Sequence, residues 1–127
     1  MFTINGQTIT LTRGDTAAIQ PIPTVTATGD PYVFEDGDRV VFRLRQLPDL
    51  GEVVEKDCLI DLVENTCTVT LHPADTIGLS MTEYRYEFEL IDTNEGHYTF
   101  IANQKFIIGK ELEQHGYSVR SNCWRFC

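Results

Sequence analysis

The side chains that could carry out chemistry are spread along this chain and do not form a catalytic motif. The three histidines, His72, His97 and His115, fall on separate predicted loops or chain ends. Cys123 and Cys127 lie four residues apart, but no second pair of Cys or His completes the ligand set of a structural zinc ion. We therefore predict no metal site.

The acidic segment before residue 39 is the next candidate site. Glu35, Asp36 and Asp38 could offer oxygen ligands to calcium, but their spacing does not match a complete calcium-binding loop, which favours a solvated turn. The sequence also lacks the motifs G-x-S-x-G and H-E-x-x-H and a glycine-rich phosphate loop. We predict that the protein is not an enzyme and binds no cofactor. A small hydrolase remains a third alternative, for which the sequence identifies no nucleophile.

Composition narrows the class of partner. The 127 residues fit one domain with its own hydrophobic core. The formal net charge of -9, from 19 acidic and 10 basic side chains, argues against nucleic acid, because phosphate binding needs clustered lysine and arginine. No stretch approaches the ~18 apolar residues of a membrane-spanning helix, so we predict no membrane span.

The N-terminal stretch MFTINGQTIT has neither the basic nor the apolar region of a secretory signal peptide. We expect the protein to be made and kept in a cytoplasm, or to leave by a route without such a signal, for example host-cell lysis. In a cytoplasm the four cysteines are expected to be reduced.

The segment Tyr84–Ile108 is the element around which the other strands are expected to pack. Its first half alternates large apolar residues with charged ones, the two-residue period of a strand with one buried face. The inward positions are Tyr84, Tyr86, Phe88 and Leu90. A turn is predicted over Asp92–Gly96, where Asp and Asn favour chain reversal and Gly permits a positive φ. His97–Ile108 then returns as the partner strand of a long hairpin.

The N-terminal part contains two predicted turns. Asn5-Gly6 indicates a hairpin between Phe2–Ile4 and Thr8–Thr12. Arg13–Thr16 contains an Arg-Gly-Asp tripeptide, which we interpret as a turn or bulge leaving a strand rather than an integrin-binding motif. Ala17–Ala27 predicts a strand that two prolines interrupt, hence an edge strand or one that switches sheets.

Arg39–Gln46 predicts a strand with two distinct faces. Its inward residues are Val40, Phe42 and Leu44, and its outward residues are Val41, Arg43 and Arg45. The outward arginines are expected to pair with carboxylates on neighbouring strands.

A second hairpin is predicted from Val53–Leu62 and Thr66–Leu71 around a turn at Glu64-Asn65. Its inward residues are Cys58, Ile60 and Leu62, facing Cys67, Val69 and Leu71, so that Cys58 and Cys67 are expected to be neighbours in the core. Pro73–Gly78 predicts a single helical turn that carries the chain from one sheet to the other.

These elements predict an all-β protein, an antiparallel immunoglobulin-like β-sandwich of about seven or eight strands with one short helical turn. A small barrel is the alternative. The predicted β-sandwich domain covers residues 1–109. Residues 110–127 form a C-terminal tail, with a short helix over Lys110–Gln114 and then irregular chain without an identified strand partner.

Four segments resemble a known family. They are ITLTRGDT, DRVVFRLRQ, VTLHPADTIGL and YRYEFELIDTNEGHYTFIANQKFII. In this order and spacing they resemble the N-terminal domain of baseplate upper proteins and related small tail or fibre-attachment domains from phages and prophages of Gram-positive bacteria. The resemblance covers Thr8 to Gly109.

The resemblance implies a non-enzymatic β-sandwich module at the distal end of a phage tail. It also implies symmetric oligomers, often trimers, assembled with other tail or baseplate proteins in a virion that is made in the bacterial host cytoplasm. Family members commonly continue into a linker or coiled coil leading to a receptor-binding domain. Because this chain stops soon after Gly109, we expect an adaptor role rather than direct recognition of host sugars.

Two sets of aromatic residues are candidate binding sites. Tyr117, Trp124 and Phe126 in the tail would anchor a protein partner, unless they fold back over an open end of their own sandwich. The alternative function, a carbohydrate-binding module or surface adhesin domain, would use Tyr32, Phe34 and Tyr98. The loop Thr28–Asp38 is expected to turn Tyr32, Val33 and Phe34 inward.

Overall fold

Segments in which apolar and polar residues alternate form strands along most of the described chain. The computed structural model describes residues 2–5, 8–47, 51–80, 82–109 and 123–126, with the backbone alone for 2–5 and 123–126. In chain order, the strands are β1 Phe2–Asn5, β2 Thr8–Thr12, β3 Ala17–Pro21, β4 Arg39–Gln46, β5 Gly51–Asp57, β6 Leu59–Asp61, β7 Thr66–Leu71, β8 Glu83–Ile91, β9 His97–Gly109 and β10 Cys123–Phe126. A helix of four residues, α1 (Pro73–Thr76), lies between β7 and β8. The predicted all-β class is confirmed.

Two sheets are formed by the described residues. The large sheet has the strand order β1-β2-β9-β8-β4-β5, and the small sheet has the order β10-β3-β7-β6. Most pairs are antiparallel, but β2 pairs with β9, and β3 with β10, in parallel. The prediction of purely antiparallel sheets was therefore wrong, and the described strands number ten. Parallel pairing joins segments that lie far apart in the chain, which a local pattern does not show.

The predicted long hairpin is confirmed as β8 and β9. Every second residue of β8 is buried, from Tyr84 to Leu90. In the turn, the Asp92 carboxylate accepts hydrogen bonds from the amides of Asn94 and Gly96 at 2.9 and 2.8 Å. The positive φ falls on Glu95, at 63°, rather than on the glycine. A Cβ at Gly96 would lie 2.7 Å from the Tyr98 hydroxyl, so close packing is what requires glycine there.

Both sheets contribute to one hydrophobic core. At its centre the Phe42 ring on β4 packs against Phe88, Tyr86 and Phe106, at centroid distances of 5.2, 6.2 and 6.2 Å. The rings of Tyr86 and Phe106 also contact each other, with centroids 6.1 Å apart. Burial of such aromatic side chains is the main stabilising contribution available to a two-sheet fold.

The described strands change sheet five times along the chain, and three of these passages bear on the sequence predictions. Arg13–Thr16 joins β2 to β3, and the Asp15 amide donates a hydrogen bond to the Thr12 carbonyl at 3.0 Å, which confirms the predicted turn. Gly14 has φ 89° and its amide donates to Thr76 Oγ1 of α1 at 3.1 Å. The helical turn α1 carries the chain from β7 to β8, also as predicted.

The third passage, at Cys58, corrects the sequence interpretation. Val53–Leu62 was predicted as one strand of a hairpin, but β5 pairs with β4 in the large sheet and only β6 pairs with β7. Between them the Cys58 amide donates a hydrogen bond to the Val40 carbonyl at 2.7 Å. Alternation continues through this point, so the pattern did not reveal the change of sheet.

β3 and the tail also differ from expectation. β3 lies between β7 and β10, so the edge position predicted for it was wrong. Cys123–Phe126, for which no strand partner was identified, forms β10. The predicted helix Lys110–Gln114 falls outside the described residues, and the division at residue 109 stays a prediction.

Candidate functional site

The outer face of the large sheet carries a network of ion pairs centred on Arg43. Four carboxylates surround its guanidinium: Glu89 at 2.9 Å, Glu55 at 3.0 Å, Glu87 at 3.3 Å and Glu52 at 3.8 Å. The register explains this cluster, because Arg43 on β4 stands between Glu55 on β5 and Glu87 on β8. Arg45 bonds Glu87 at 2.9 Å. The predicted pairing of the outward arginines with neighbouring carboxylates is confirmed.

These contacts shift the ionisation of the partners. Desolvation by itself would lower the pKa of Arg43, but the hydrogen bonds it donates to Glu89 and Glu55 outweigh that effect and raise it. Partial burial would raise the pKa of Glu89, but its bonds with Arg43 and with His97, at 3.2 Å, hold it below its usual value. Arg43 and Glu89 therefore stay ionised and paired at neutral pH.

Val41 lies on the same outer face but is buried. Its predicted outward orientation agrees with its absence from the core cluster between the sheets, although its side chain is only 1% exposed. Its cross-strand neighbours are Asp57 and Glu89. Because long charged side chains that are held in ion pairs cover apolar surface with their stems, a valine among them is shielded from water.

Cys58 and Cys67 are buried neighbours in the core, as predicted, and both are free thiols. Cys67 Sγ donates a hydrogen bond to the Pro21 carbonyl at 3.3 Å. The hydrogen bond with Cys67, followed by burial, raises the pKa of the Cys58 thiol. Because nucleophilic and redox reactions use the thiolate, this environment favours a packing role.

The buried carboxylate of Asp38 holds the acidic loop before β4 together through hydrogen bonds. Asp38 Oδ2 accepts hydrogen bonds from the Tyr32 hydroxyl at 2.9 Å and the Glu35 amide at 2.8 Å. The solvated turn predicted here was wrong at Asp38, whose side chain is buried. Burial, followed by the Asp38 hydrogen bond, raises the pKa of Tyr32 to about 12. In the part of the chain that the structure describes, no group of three or more His, Cys, Asp or Glu side chains could hold a metal ion.

A small cleft of about 190 Å³ lies where the end of β3 meets the turn between β6 and β7. Pro21, Pro23, Tyr32, Phe34 and Asn65 are among its walls. The Asn65 side chain accepts a hydrogen bond from the Phe34 amide at 2.8 Å and donates one to the Tyr32 carbonyl at 3.0 Å. These two bonds tie the loop before β4 to the turn after β6.

Beside this cleft stands a group of exposed aliphatic side chains. They are Val33, Leu59, Leu62 and Val63, exposed by 71%, 78%, 47% and 92%. Leu59 belongs to β6, and Leu62 and Val63 to the turn that follows it. Val33 lies between Tyr32 and Phe34, on the loop that Asn65 ties to this turn. We call these four residues the aliphatic edge. The inward orientation predicted for Val33 and Leu62 was wrong.

The surroundings of the aliphatic edge are acidic. No lysine or arginine occurs from Asp57 to Tyr84 in the sequence. Asp61 and Glu64 are exposed within the same strand and turn. Among the described strands, β6 pairs with β7 alone, so its other side is an open edge of the small sheet.

The aromatic residues proposed for glycan binding do not form one platform. Tyr32 and Phe34 line the cleft with ring centroids 5.6 Å apart, but Phe34 is only 7% exposed. Tyr98 is 56% exposed on β9, opposite Leu90, and is not a wall of the cleft. The structure therefore brings two of the three together.

The aromatic residues of the tail are placed in part. The backbone of β10 sets Trp124 opposite Ile19 and Phe126 opposite Pro21. Tyr117 lies outside the described residues. Pairing of this segment with β3 of the same chain favours the interpretation in which the tail folds back. The role of these residues as partner anchors stays a prediction.

Comparisons with known proteins leave the family open. Neither family models, nor curated proteins, nor solved structures show a significant match to this chain. No helix among the described residues is long and apolar enough to cross a membrane.

Sequence interpretation did not single out the aliphatic edge. The available signal was Leu62-Val63, an aliphatic pair directly before the predicted turn Glu64-Asn65. Turns usually carry small and polar residues, so two exposed aliphatic side chains there need an explanation.

Proposed function

We propose that this protein is a non-enzymatic adaptor of a phage or prophage tail or baseplate, working through protein–protein contacts. The observation that carries the proposal is the aliphatic edge. In a chain of net charge -9, four exposed aliphatic residues lie on β6, on the turn that follows it and on the loop that Asn65 ties to this turn, whereas the outer face of the large sheet is ion-paired. Exposed apolar patches with polar surroundings are typical of surfaces that bind other proteins.

The virion location rests on the family resemblance. Two of its most specific pieces coincide with connections of the fold, since Arg13–Thr16 joins β2 to β3 and Pro73–Leu79 contains α1. The third piece forms the hairpin of β8 and β9. Connections of this kind are what related folds would share. On this proposal the two sheets form an immunoglobulin-like β-sandwich, and the chain assembles as a homo-oligomer, with a trimer favoured, beside other tail or baseplate proteins.

The test is to purify particles released by the bacterium that encodes the chain. We expect mass spectrometry to detect the chain with the tail proteins, and immunogold microscopy to place it at the tail end. A strain lacking the gene should release particles without complete baseplates. Intact particles from that strain, together with absence of the chain from wild-type particles, would overturn the proposal.

A carbohydrate-binding module is the second candidate. The cleft lined by Tyr32 and Phe34 favours it, because aromatic walls with nearby polar groups suit a sugar ring. A glycan array with the wild-type protein and a Tyr32→Ala variant tests it, because Tyr32 is a wall of the cleft. Binding that the variant loses would support this function, and signals at background for every glycan would remove it.

A further inference from the structure

We infer that the aliphatic edge is the docking site for a segment of a partner protein that carries large apolar side chains next to lysine or arginine. The inference rests on the proposed adaptor function and adds to it the surface and the chemistry of the partner.

The apolar part of this chemistry follows from exposure. Val63 and Leu59 are 92% and 78% exposed, whereas most aliphatic residues of the strands are buried in the core. Strand edges in soluble proteins are usually protected by charges. β5, the edge of the large sheet, carries Glu52, Glu55 and Lys56, whereas Leu59 on β6 lacks such cover. A partner with apolar side chains would remove this surface from water.

The basic part follows from charge complementarity. Asp61 and Glu64 flank Leu62 and Val63 in the chain, and the stretch from Asp57 to Tyr84 contains no lysine or arginine. Two copies of this chain would bring these carboxylates together, which opposes self-association through the same surface. A segment with lysine or arginine beside its apolar residues would instead be attracted.

The surface is also ordered before binding. Asp61 Oδ1 accepts hydrogen bonds from the amides of Val63 and Glu64 at 3.0 and 3.1 Å, which fixes the turn. Asn65 fixes the loop that presents Val33. Because these segments are already held, docking would cost little further ordering of the backbone. The adjoining cleft of about 190 Å³ offers room for one apolar side chain of the partner.

The experiment uses three fluorescent decapeptides as probes of this chemistry. The first alternates leucine with lysine, the second leucine with glutamate, and the third serine with lysine. Binding is measured by fluorescence anisotropy, and the site is located by amide chemical-shift changes. The test variant is Leu59→Thr with Val63→Ser, and the matched control is Val25→Thr with Ile77→Thr, which removes two exposed aliphatic side chains elsewhere.

We expect only the leucine-lysine peptide to bind, with shift changes confined to residues 32–34 and 59–66. The test variant should bind it about tenfold more weakly, and the control within about twofold of wild type. Equal binding of the serine-lysine peptide would overturn the inference, because charge alone would then suffice. Shift changes centred on the Arg43 network, or an unaffected test variant, would overturn it as well.

Light scattering tests whether the aliphatic edge binds a second copy of this chain instead. A wild-type oligomer that the test variant dissociates would overturn the inference, since the edge would then bind a second copy. The particle experiment separates this inference from the proposed function. If the chain is present in particles and the test variant assembles normally, the function stands and the surface assignment fails. If the peptide results hold but the chain is absent from particles, the docking surface stands and the tail function fails.

Discussion

The outer face of the large sheet and the aliphatic edge differ in the kind of side chain that they expose to solvent. Around Arg43, charged side chains from β4, β5 and β8 meet in ion pairs. At the aliphatic edge, valine and leucine are exposed to water on β6 and the turn and loop beside it, and among the described strands β6 is paired on one side only. Charged residues that bond one another stabilise the fold itself. Aliphatic side chains that stay exposed in the folded chain contribute little to its stability. The free energy of removing them from water is therefore gained only when a partner covers them.

Removal of Arg43 should have the largest effect. In Arg43→Met, four carboxylates lose their shared cation, and we expect the free energy of unfolding to fall by about 2 kcal/mol. The matched control is Arg39→Met, whose single pair with Asp57 has both partners more than half exposed. It should cost no more than about 0.5 kcal/mol. Urea unfolding at neutral pH measures both, and equal losses would contradict a network centred on Arg43.

The same substitution placed in each region sharpens the contrast. Val41→Thr buries a hydroxyl under the ion-pair network and should cost about 1.5 kcal/mol. Val63→Thr puts it in water at the aliphatic edge, so its stability should stay within about 0.5 kcal/mol of wild type. Thermal and urea unfolding compare the two. A similar cost at both positions would mean that the charged side chains do not shield Val41.

The third prediction concerns the turn that joins β2 in the large sheet to β3 in the small sheet. Gly14→Ala places a Cβ at φ 89° and 3.3 Å from Ile77 Cδ1, so we expect a loss of about 1 kcal/mol. Gly29→Ala is the matched control, because Gly29 also has a positive φ, 75°, but its Cβ would meet nothing within 4 Å. The difference between the two melting temperatures isolates the packing contribution. No difference would assign the whole cost to backbone conformation.

The pH dependence of the network gives the smallest effect. The folded-state pKa of Glu89 lies below its usual 4.5. Its charge therefore stabilises the fold fully above about pH 4.5, and this contribution is lost as the pH falls through the folded-state pKa. Glu89→Gln should be less stable than wild type by about 1 kcal/mol at pH 7. The difference should close on acidification, and a difference that is constant with pH would show that charge is not its cause.

Local patterns determined most of the strands and turns. The alternation in Tyr84–Leu90 predicted the buried face of β8, and the outward position of Arg43 and Arg45 predicted their ion pairs. The turn at Arg13–Thr16 and the helical turn after Pro73 followed from glycine and proline, whose backbone preferences act within a few residues. These features were predictable because their causes lie close together in the chain.

Tertiary structure alone decided which strands meet and what each surface covers. The change of sheet at Cys58 and the parallel pairing of β2 with β9 join segments that no local period relates. Burial of Val41 and Asp38, and exposure of Leu62 and Val63, likewise depend on side chains brought in from other strands and loops. The alternation of apolar and polar residues indicates on which side of its strand each residue lies. Whether that side meets water depends on distant parts of the chain, so the aliphatic edge became visible only in the folded protein.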